Sequence, residues 1–312
     1  MKAMVLSSPI SFPNLGIEVN PSRVAFTVAG KEIYWYGIII AAGFILAVIY
    51  ACRRAPQFGL TEDHIMDMLI AAVPAAIICA RLYYCIFYWE LYADHPISVL
   101  YIWEGGLAIY GGVIGAVLAV WIYSRVRKLQ MGPLLDIGGL GLLIGQMIGR
   151  WGNFVNREAY GTVTDSFFKM GLTDASGQVT YYHPTFLYES VWNLAGFLLL
   201  HFYSKKHRHY DGEIFTMYVA WYGLGRGWIE GLRTDSLYLF GTGLRVSQLL
   251  AILSCLAAVA LLIRNLYLHP KDPEQMRVRQ MQKRVDAAIV QAAAQSGTKP
   301  AEESSEQSET EK

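Results

Sequence analysis

The chain has 312 residues, 54% of them hydrophobic and 16% charged, with a formal net charge of +1. A soluble domain averages about 45–50% apolar and about 25% charged residues, so the composition points into a bilayer and away from a freely diffusing enzyme. The balanced net charge gives no reason to expect a nucleic-acid partner.

Residues 1–30 carry polar and proline breaks and lack a short apolar core, so no cleavable signal peptide is expected and the first apolar run should stay as an anchor. A spanning helix needs about 20 mostly apolar residues. Seven segments meet that need roughly, at 33–52, 65–88, 106–124, 134–154, 185–203, 213–232 and 243–263. The expected fold is therefore all-α, a polytopic bundle of about seven transmembrane helices. Its three parts are an N-terminal segment (1–32), a membrane domain (33–265) and a charged tail (266–312).

Lys and Arg set the expected orientation. Arg53 and Arg54 follow the first segment, Arg125, Arg127 and Lys128 the third, Lys205, Lys206 and Arg208 the fifth. Arg264, Lys271, Arg277, Arg279, Lys283 and Arg284 follow the seventh. The intervening loops are poorer in these residues, which places the N-terminus outside and the C-terminus in the cytoplasm. In the tail, 273–296 reads as a charged, Ala-rich helix and 297–312 as a Ser/Glu/Lys-rich disordered stretch.

Ionisable groups inside a bilayer cost about 3 kcal/mol each on insertion scales and are functional candidates by default. Here they are Arg81, Asp136, Arg150, Glu189, Arg226 and Glu230. Asp136 sits near the cytoplasmic end of its segment and reads as solvated or structural. The expected topology brings the others toward one leaflet, together with Tyr36, Tyr110, Asn153, Asn156, His183, Tyr188 and Arg233. Arg226, Glu230 and Arg233 stand at i, i+4 and i+7 on one helix face, and Arg150 and Asn153 at i and i+3. Arginine beyond what the carboxylates neutralise suits a phosphate-bearing headgroup, because its planar fork matches phosphate oxygens; the bland alternative is an ion pair that only ties helices together. Gly141, Gly145 and Gly149 repeat every four residues and suggest a close-packing face. Gly111, Gly112 and Gly115 allow either backbone approach or room for a lipid chain.

The cysteines Cys52, Cys79, Cys85 and Cys255 lie in or beside apolar runs without a CxxC pair and read as buried hydrophobes. P-loop, HExxH and GxSxG patterns are absent. A retinal protein would need a lysine in the seventh segment, which has none. A transporter would place polar groups at the midplane, and a lipid-binding scaffold would share the arginines without turnover.

The stretch from Gly149 to Gly161, GRWGNFVNREAYG, strongly resembles the signature of bacterial prolipoprotein diacylglyceryl transferases. Tyr34-Trp35-Tyr36-Gly37, the run Gly105–Gly112, His183-Pro184-Thr185 with Leu187-Tyr188-Glu189, and Tyr222-Gly223 with Arg226, Glu230 and Arg233 resemble that family's other motifs, in order. The resemblance spans nearly all of 30–265. It implies transfer of the diacylglyceryl group of phosphatidylglycerol to the lipobox cysteine of a prolipoprotein, with release of glycerol phosphate, at the outer leaflet of the bacterial cytoplasmic membrane. It also implies that Arg150 and Arg226 face the departing phosphate and Glu230 orients Arg226. Asn153, Asn156, Glu158, Gly161 and Arg233 would bind substrate, with Glu158 also ordering the loop after the fourth segment. Tyr110 stands where some members carry His. Tyr110, His183 and Glu189 are the candidates for handling the thiol proton, with Tyr188 next to them; a headgroup hydrogen bond is the other role for Tyr110, and helix initiation the other for His183. Tyr36 either binds headgroup or sits in an aromatic belt, and Arg81 either meets phosphate or braces the bundle. No metal and no cofactor beyond the lipid is expected.

Overall fold

The computed structural model describes residues 8–234, 238 and 245–296. It is mostly helical, and the helices fall where the apolar segments were expected: α1 (Trp35–Arg54), α2 (Glu62–Phe87), α3 (Ile109–Val126), α4 (Met131–Asn156), α5 (Thr185–Lys206), α6 (Glu213–Ile229) and α7 (Val246–Ile263). Outside the apolar region a further helix, α8 (Arg277–Ser296), lies within the tail, while 297–312 lies outside the described residues.

Among the described residues five helices, those beginning at Trp35, Glu62, Ile109, Met131 and Val246, are long and apolar enough to cross a membrane. α5 and α6 fall short on this measure. α6 has only 17 residues, and α5 carries Glu189, His201, Lys205 and Lys206.

The expectation of an all-α chain needs correction. Strands β1 (Ile10–Phe12), β2 (Ile17–Val19), β5 (Met170–Thr173) and β6 (Val179–Tyr182) form a four-stranded sheet in the order β2-β1-β5-β6. All its pairs are antiparallel, with Ser11 opposite Gly171 and Gly171 opposite Tyr181. β3 (Val24–Val28) and β4 (Lys31–Tyr34) make a separate hairpin that runs straight into α1. Its turn uses left-handed Ala29 and Gly30, the two consecutive positive-φ residues that suit a tight hairpin.

α4 is the hub, packed against α1, α5 and α6, while α2 pairs with α3 and α6 with α7. Close approach relies on glycine. A Cβ on Gly111 would lie 2.4 Å from the Cys79 carbonyl oxygen, and one on Gly115 2.5 Å from that of Ala75, so α3 and α2 touch backbone to backbone. The Gly141/Gly145/Gly149 face is looser than its spacing suggests. It turns toward α1, where a Cβ on Gly149 would meet Ile40, but one on Gly145 would meet nothing within 4 Å. Between α5 and α6 the indoles of Trp192 and Trp221 stack with centroids 4.5 Å apart. Each indole N–H donates to the other residue's carbonyl, at 3.1 and 3.0 Å.

Two cores result. The larger gathers Phe58, Ile65, Leu134, Ile137, Leu140 and Ile214 near the ends where Arg53, Arg54, Lys205 and Lys206 lie. The smaller joins Ile10, Phe12, Met170 and Leu172 of the sheet to Tyr160, Phe186 and Phe154, at the far end of α4 and the start of α5. Asp136 belongs to the first end. It is fully buried rather than solvated, and its carboxylate accepts from the Gly212 and Phe215 amides at 2.8 and 2.9 Å, satisfying backbone donors that open α6.

Candidate active site

The smaller core fixes where α4 ends and α5 begins, and the polar residues from α4, α5 and α6 meet there. Glu189, in the first turns of α5, is the centre. Its Oε2 lies 2.5 Å from Nη2 of Arg150, and its Oε1 lies 3.4 Å from Nη1 of both Arg226 and Arg233. Glu230, one turn after Arg226, meets the other side of that guanidinium at 2.5 Å. Both carboxylates are buried and the three arginines are nearly so. Three guanidinium groups thus meet two buried carboxylates where solvent screens poorly.

The cluster continues through α4. Arg150 donates to the Asn153 side chain at 3.3 Å, and Asn153 donates to Glu158 at 2.9 Å. Glu158 also accepts from Asn156 at 3.3 Å, and Asn156 accepts from Arg23 at 3.2 Å. A hydrogen-bonded line therefore runs from Glu230 to the N-terminal hairpin. At its hairpin end lies a cavity of about 600 Å³ lined by Arg23, Glu32, Tyr34, Tyr36 and Asn156 among others. Tyr36 is placed by Gly152, whose missing side chain makes room for the ring: a Cβ there would lie 2.6 Å from Tyr36 Cδ2.

The connecting loop is pinned by backbone. The Gly161 amide donates to the His183 carbonyl at 2.9 Å, Gly161 forms a bridge with Arg233, and the Thr162 amide donates to the Leu232 carbonyl at 2.7 Å. A Cβ at Gly161 would sit 2.7 Å from His183 Cβ, so only glycine fits. His183 Nδ1 is 3.2 Å from the Tyr188 hydroxyl, and burial pushes the imidazole pKa below its ordinary value. Ser190, next to Glu189, donates to the Met147 carbonyl and accepts from the Trp151 indole, tying α5 to α4.

The structure thus joins Arg150, Asn153, Asn156, Glu158, Glu189, Arg226, Glu230 and Arg233 in one network, with Tyr36, Gly161, His183 and Tyr188 at its edges. Two expected residues make other contacts. Arg81 is buried and directs its guanidinium at four carbonyls, of Ser98, Val99, Gly105 and Gly106, at 2.6–3.2 Å. It also lies over the Tyr92 ring. Every nitrogen of the fork is thus engaged by the loop between α2 and α3. The Tyr110 hydroxyl lies 3.4 Å from Ser247 Oγ on α7.

Three contributors were missed. Arg23 belongs to a segment without helical periodicity, and only the fold brings it to Asn156. Arg157 adopts a left-handed backbone, is buried, and donates to the carbonyls of Ser8 and Pro21 and the side chain of Asn20, holding the N-terminal segment against α4. Its place inside the GRWGNFVNREAYG stretch was the available signal. Arg245 donates to the Glu230 carbonyl, and Gln248 to that of Gly227 at 2.7 Å, so α7 supports the turn that carries Glu230.

These features define a polytopic helical protein with a buried arginine–carboxylate cluster at one end of its bundle. Residues 23–264 match the family model described as prolipoprotein diacylglyceryl transferase, and the chain belongs to that family. It is 46% identical over 250 residues to the phosphatidylglycerol–prolipoprotein diacylglyceryl transferase of Enterococcus faecalis, covering 78% of this chain and 90% of that protein. The enzymes of the same name from Bacillus velezensis and Bacillus licheniformis are 43% and 45% identical over 257 and 253 residues, covering 80% and 78% of this chain and 93% and 92% of theirs.

Proposed function

We propose that this chain transfers the diacylglyceryl group of phosphatidylglycerol to the lipobox cysteine of prolipoproteins, the first step of lipoprotein maturation, at the outer leaflet of the bacterial inner membrane. The sulfur attacks the glyceryl carbon that bears the phosphate ester. The carbon–oxygen bond breaks, glycerol phosphate leaves with the electron pair, and the thiol proton passes to a base. Negative charge builds on the departing phosphate, and the enzyme's task is to meet it with preorganised donors. The observation that carries this reading is the set of three guanidiniums around two buried carboxylates.

In this scheme Arg150 and Arg226 act as catalytic residues on the phosphate, while Glu230 and Glu189 aim them. Both Glu189 oxygens face guanidinium groups, which makes it a holder of arginines rather than a proton acceptor. Arg233, Asn153, Asn156 and Glu158 extend the headgroup contacts toward Tyr36 and the hairpin cavity. His183, not tied to a guanidinium and with its ring held by the Tyr188 hydroxyl, is the candidate acceptor for the thiol proton. Tyr110, beside α7, contributes a hydroxyl to the lipid rather than a base, and Arg81 holds the α2–α3 loop.

The same reading makes α5 and α6 membrane spans as well, seven in all, since their polar residues face the site or the basic ends. The N-terminal segment (1–32) and sheet then lie outside, residues 33–265 form the catalytic domain, and the tail from 266 lies in the cytoplasm. Single cysteines placed in the 90–105 and 205–212 loops, probed with an impermeant thiol reagent on intact cells, test the orientation. Only the first should react.

The activity test uses protein in nanodiscs with phosphatidylglycerol and a lipobox peptide, following peptide mass and glycerol phosphate release. Transfer requiring both the peptide cysteine and the lipid is expected, and Arg150→Ala or Arg226→Ala should abolish it while the folded protein still inserts. Full activity in both variants would overturn the phosphate-binding role.

A further inference from the structure

The matched family region ends at residue 264, and α8 lies wholly beyond it. The root of α8 is fixed to the basic end of the bundle. The Arg277 amide donates to Asp211 at 2.8 Å, between α5 and α6, and its Nε donates to the Gly59 carbonyl at 2.6 Å, between α1 and α2. Gly59 must be glycine here, with left-handed φ and the Val278 amide nitrogen 2.9 Å from where a Cβ would stand. Met276, just before the helix, is buried. The helix therefore starts at the level where α1 ends and α2 and α6 begin.

Among the described residues α8 packs mainly on the turns at Ala55–Phe58 and Pro273–Gln275, near its own start. Val278, Met281, Val285, Ala288, Ile289 and Ala292 share one face at i, i+3, i+7, i+10, i+11 and i+14. Yet Met281, Val285 and Ile289 are 40%, 51% and 60% exposed. Arg279 and Lys283, on the opposite face, are paired with Glu274 at 2.6 and 2.9 Å, while Arg277 and Arg284 border the apolar stripe on one side. A coiled coil with a second copy fits poorly. With Val278, Met281, Val285 and Ala288 as the seam, the flanking positions pair Arg277 with Gln282 and Arg284 with Ile289, which offers no charge complementarity and only a small-residue core.

We propose that α8 lies flat on the anionic lipid surface at the basic end of the bundle. Its Met281/Val285/Ile289 face enters the headgroup–acyl boundary and Arg284 meets lipid phosphates. A helix of this length, about 30 Å, with one apolar stripe bordered by basic residues, has the make-up of an interfacial helix. Anionic lipid supplies a counter-charge for Arg284, whereas Arg277 already lies beside Asp211. The proposal rests on the bundle being membrane-embedded and requires nothing of the transfer chemistry.

The test uses full-length protein with its four native cysteines replaced, carrying a nitroxide at single cysteines from 279 to 290. It is reconstituted in vesicles of phosphatidylcholine alone or with phosphatidylglycerol. Relaxation by oxygen, which partitions into lipid, is compared with relaxation by an aqueous nickel chelate. The expected oxygen-to-nickel ratio oscillates with a period of about 3.6 residues, peaks at 281, 285 and 289, and flattens in phosphatidylcholine alone or with Arg284→Glu. Uniform water exposure in both lipids would overturn the proposal. So would dipolar coupling between labels at 285 of two copies, which would assign the stripe to self-association. None of these readouts depends on transfer, so the proposal can fail while the transferase reading stands, and the reverse.

Discussion

Replacing Glu189 by Gln removes one charge and keeps the shape of the side chain at the centre of the site. Three guanidiniums lose their shared partner: Arg150 from 2.5 Å, and Arg226 and Arg233 from 3.4 Å. Glu230 stays on Arg226. Breaking a buried ion pair by removing one member costs about 3–5 kcal/mol, a large share of the roughly 5–15 kcal/mol that holds a typical domain together. The cost should fall on the unliganded protein, because an anionic headgroup can take the place of the lost carboxylate. The variant is therefore expected to unfold several degrees below the parent in neutral detergent, and phosphatidylglycerol should raise its midpoint more than the parent's. Transfer should drop by about 10²–10³-fold, the scale for loss of an aligned donor in such a site. Thermal unfolding followed by tryptophan fluorescence, with and without phosphatidylglycerol, together with the lipobox-peptide assay, measures all three. Parental stability and parental turnover in the same preparation would refute the role of Glu189 as the arginines' holder.

Gly152→Ala puts a methyl group 2.6 Å from the Tyr36 ring, so the ring or α4 must shift; the expected result is a raised KM for lipid, and an unchanged KM would show that Tyr36 does not touch the substrate. Arg81→Gln strips donors from four carbonyls of the α2–α3 loop, and limited proteolysis should then cut within 98–106 while the parent resists. His183 has its pKa lowered by burial. The unfolded chain therefore binds a proton at about 6.5 before the folded one does. The resulting stability is complete above that pH and is lost as pH falls toward the folded value. His183→Gln should flatten this acid decline in a midpoint-against-pH series, and an unchanged slope would remove the imidazole as its source.

The helices were legible because their signal is local. Runs of about 20 apolar residues give α1 to α4 and α7 directly, and the lysines and arginines mark their ends. Part of the site was legible for the same reason, in the i, i+4 spacing of Arg226 and Glu230. But α6 ends at Ile229 and Arg233 lies past the following turn in extended backbone, so the turn and not helix spacing brings it to Glu189. Pairing across the fold was not legible. The three residues Ile10–Phe12 have a near partner in Ile17–Val19, but nothing in them announces the pairing with Met170–Thr173, and strands this short leave no periodic trace. Arg81 shows the same limit from the other side. A buried arginine marks a place that must be satisfied, but phosphate and backbone carbonyls satisfy it equally, and only the path of the 98–106 loop decides. Asp136 was placed at the correct end of its helix, yet its partners are amides of α6 that sequence spacing does not locate.

The exchanged indoles of α5 and α6 have a bearing on how freely this site can change. Trp192 sits against Gly225 and Trp221 against Gly196, where a Cβ would come within 2.2 and 2.3 Å of the indole nitrogens. Sliding one helix along the other by a single turn, about 5.4 Å, would break both N–H bonds and drive each ring into a neighbour. The two helices are thus indexed like the teeth of a gear, one turn from Glu189 and beside Arg226, by groups that carry no charge. Ionic partners in the cluster can be exchanged, added or lost without the rods slipping out of step, so the chemistry of this end of the bundle is free to drift while its alignment is kept.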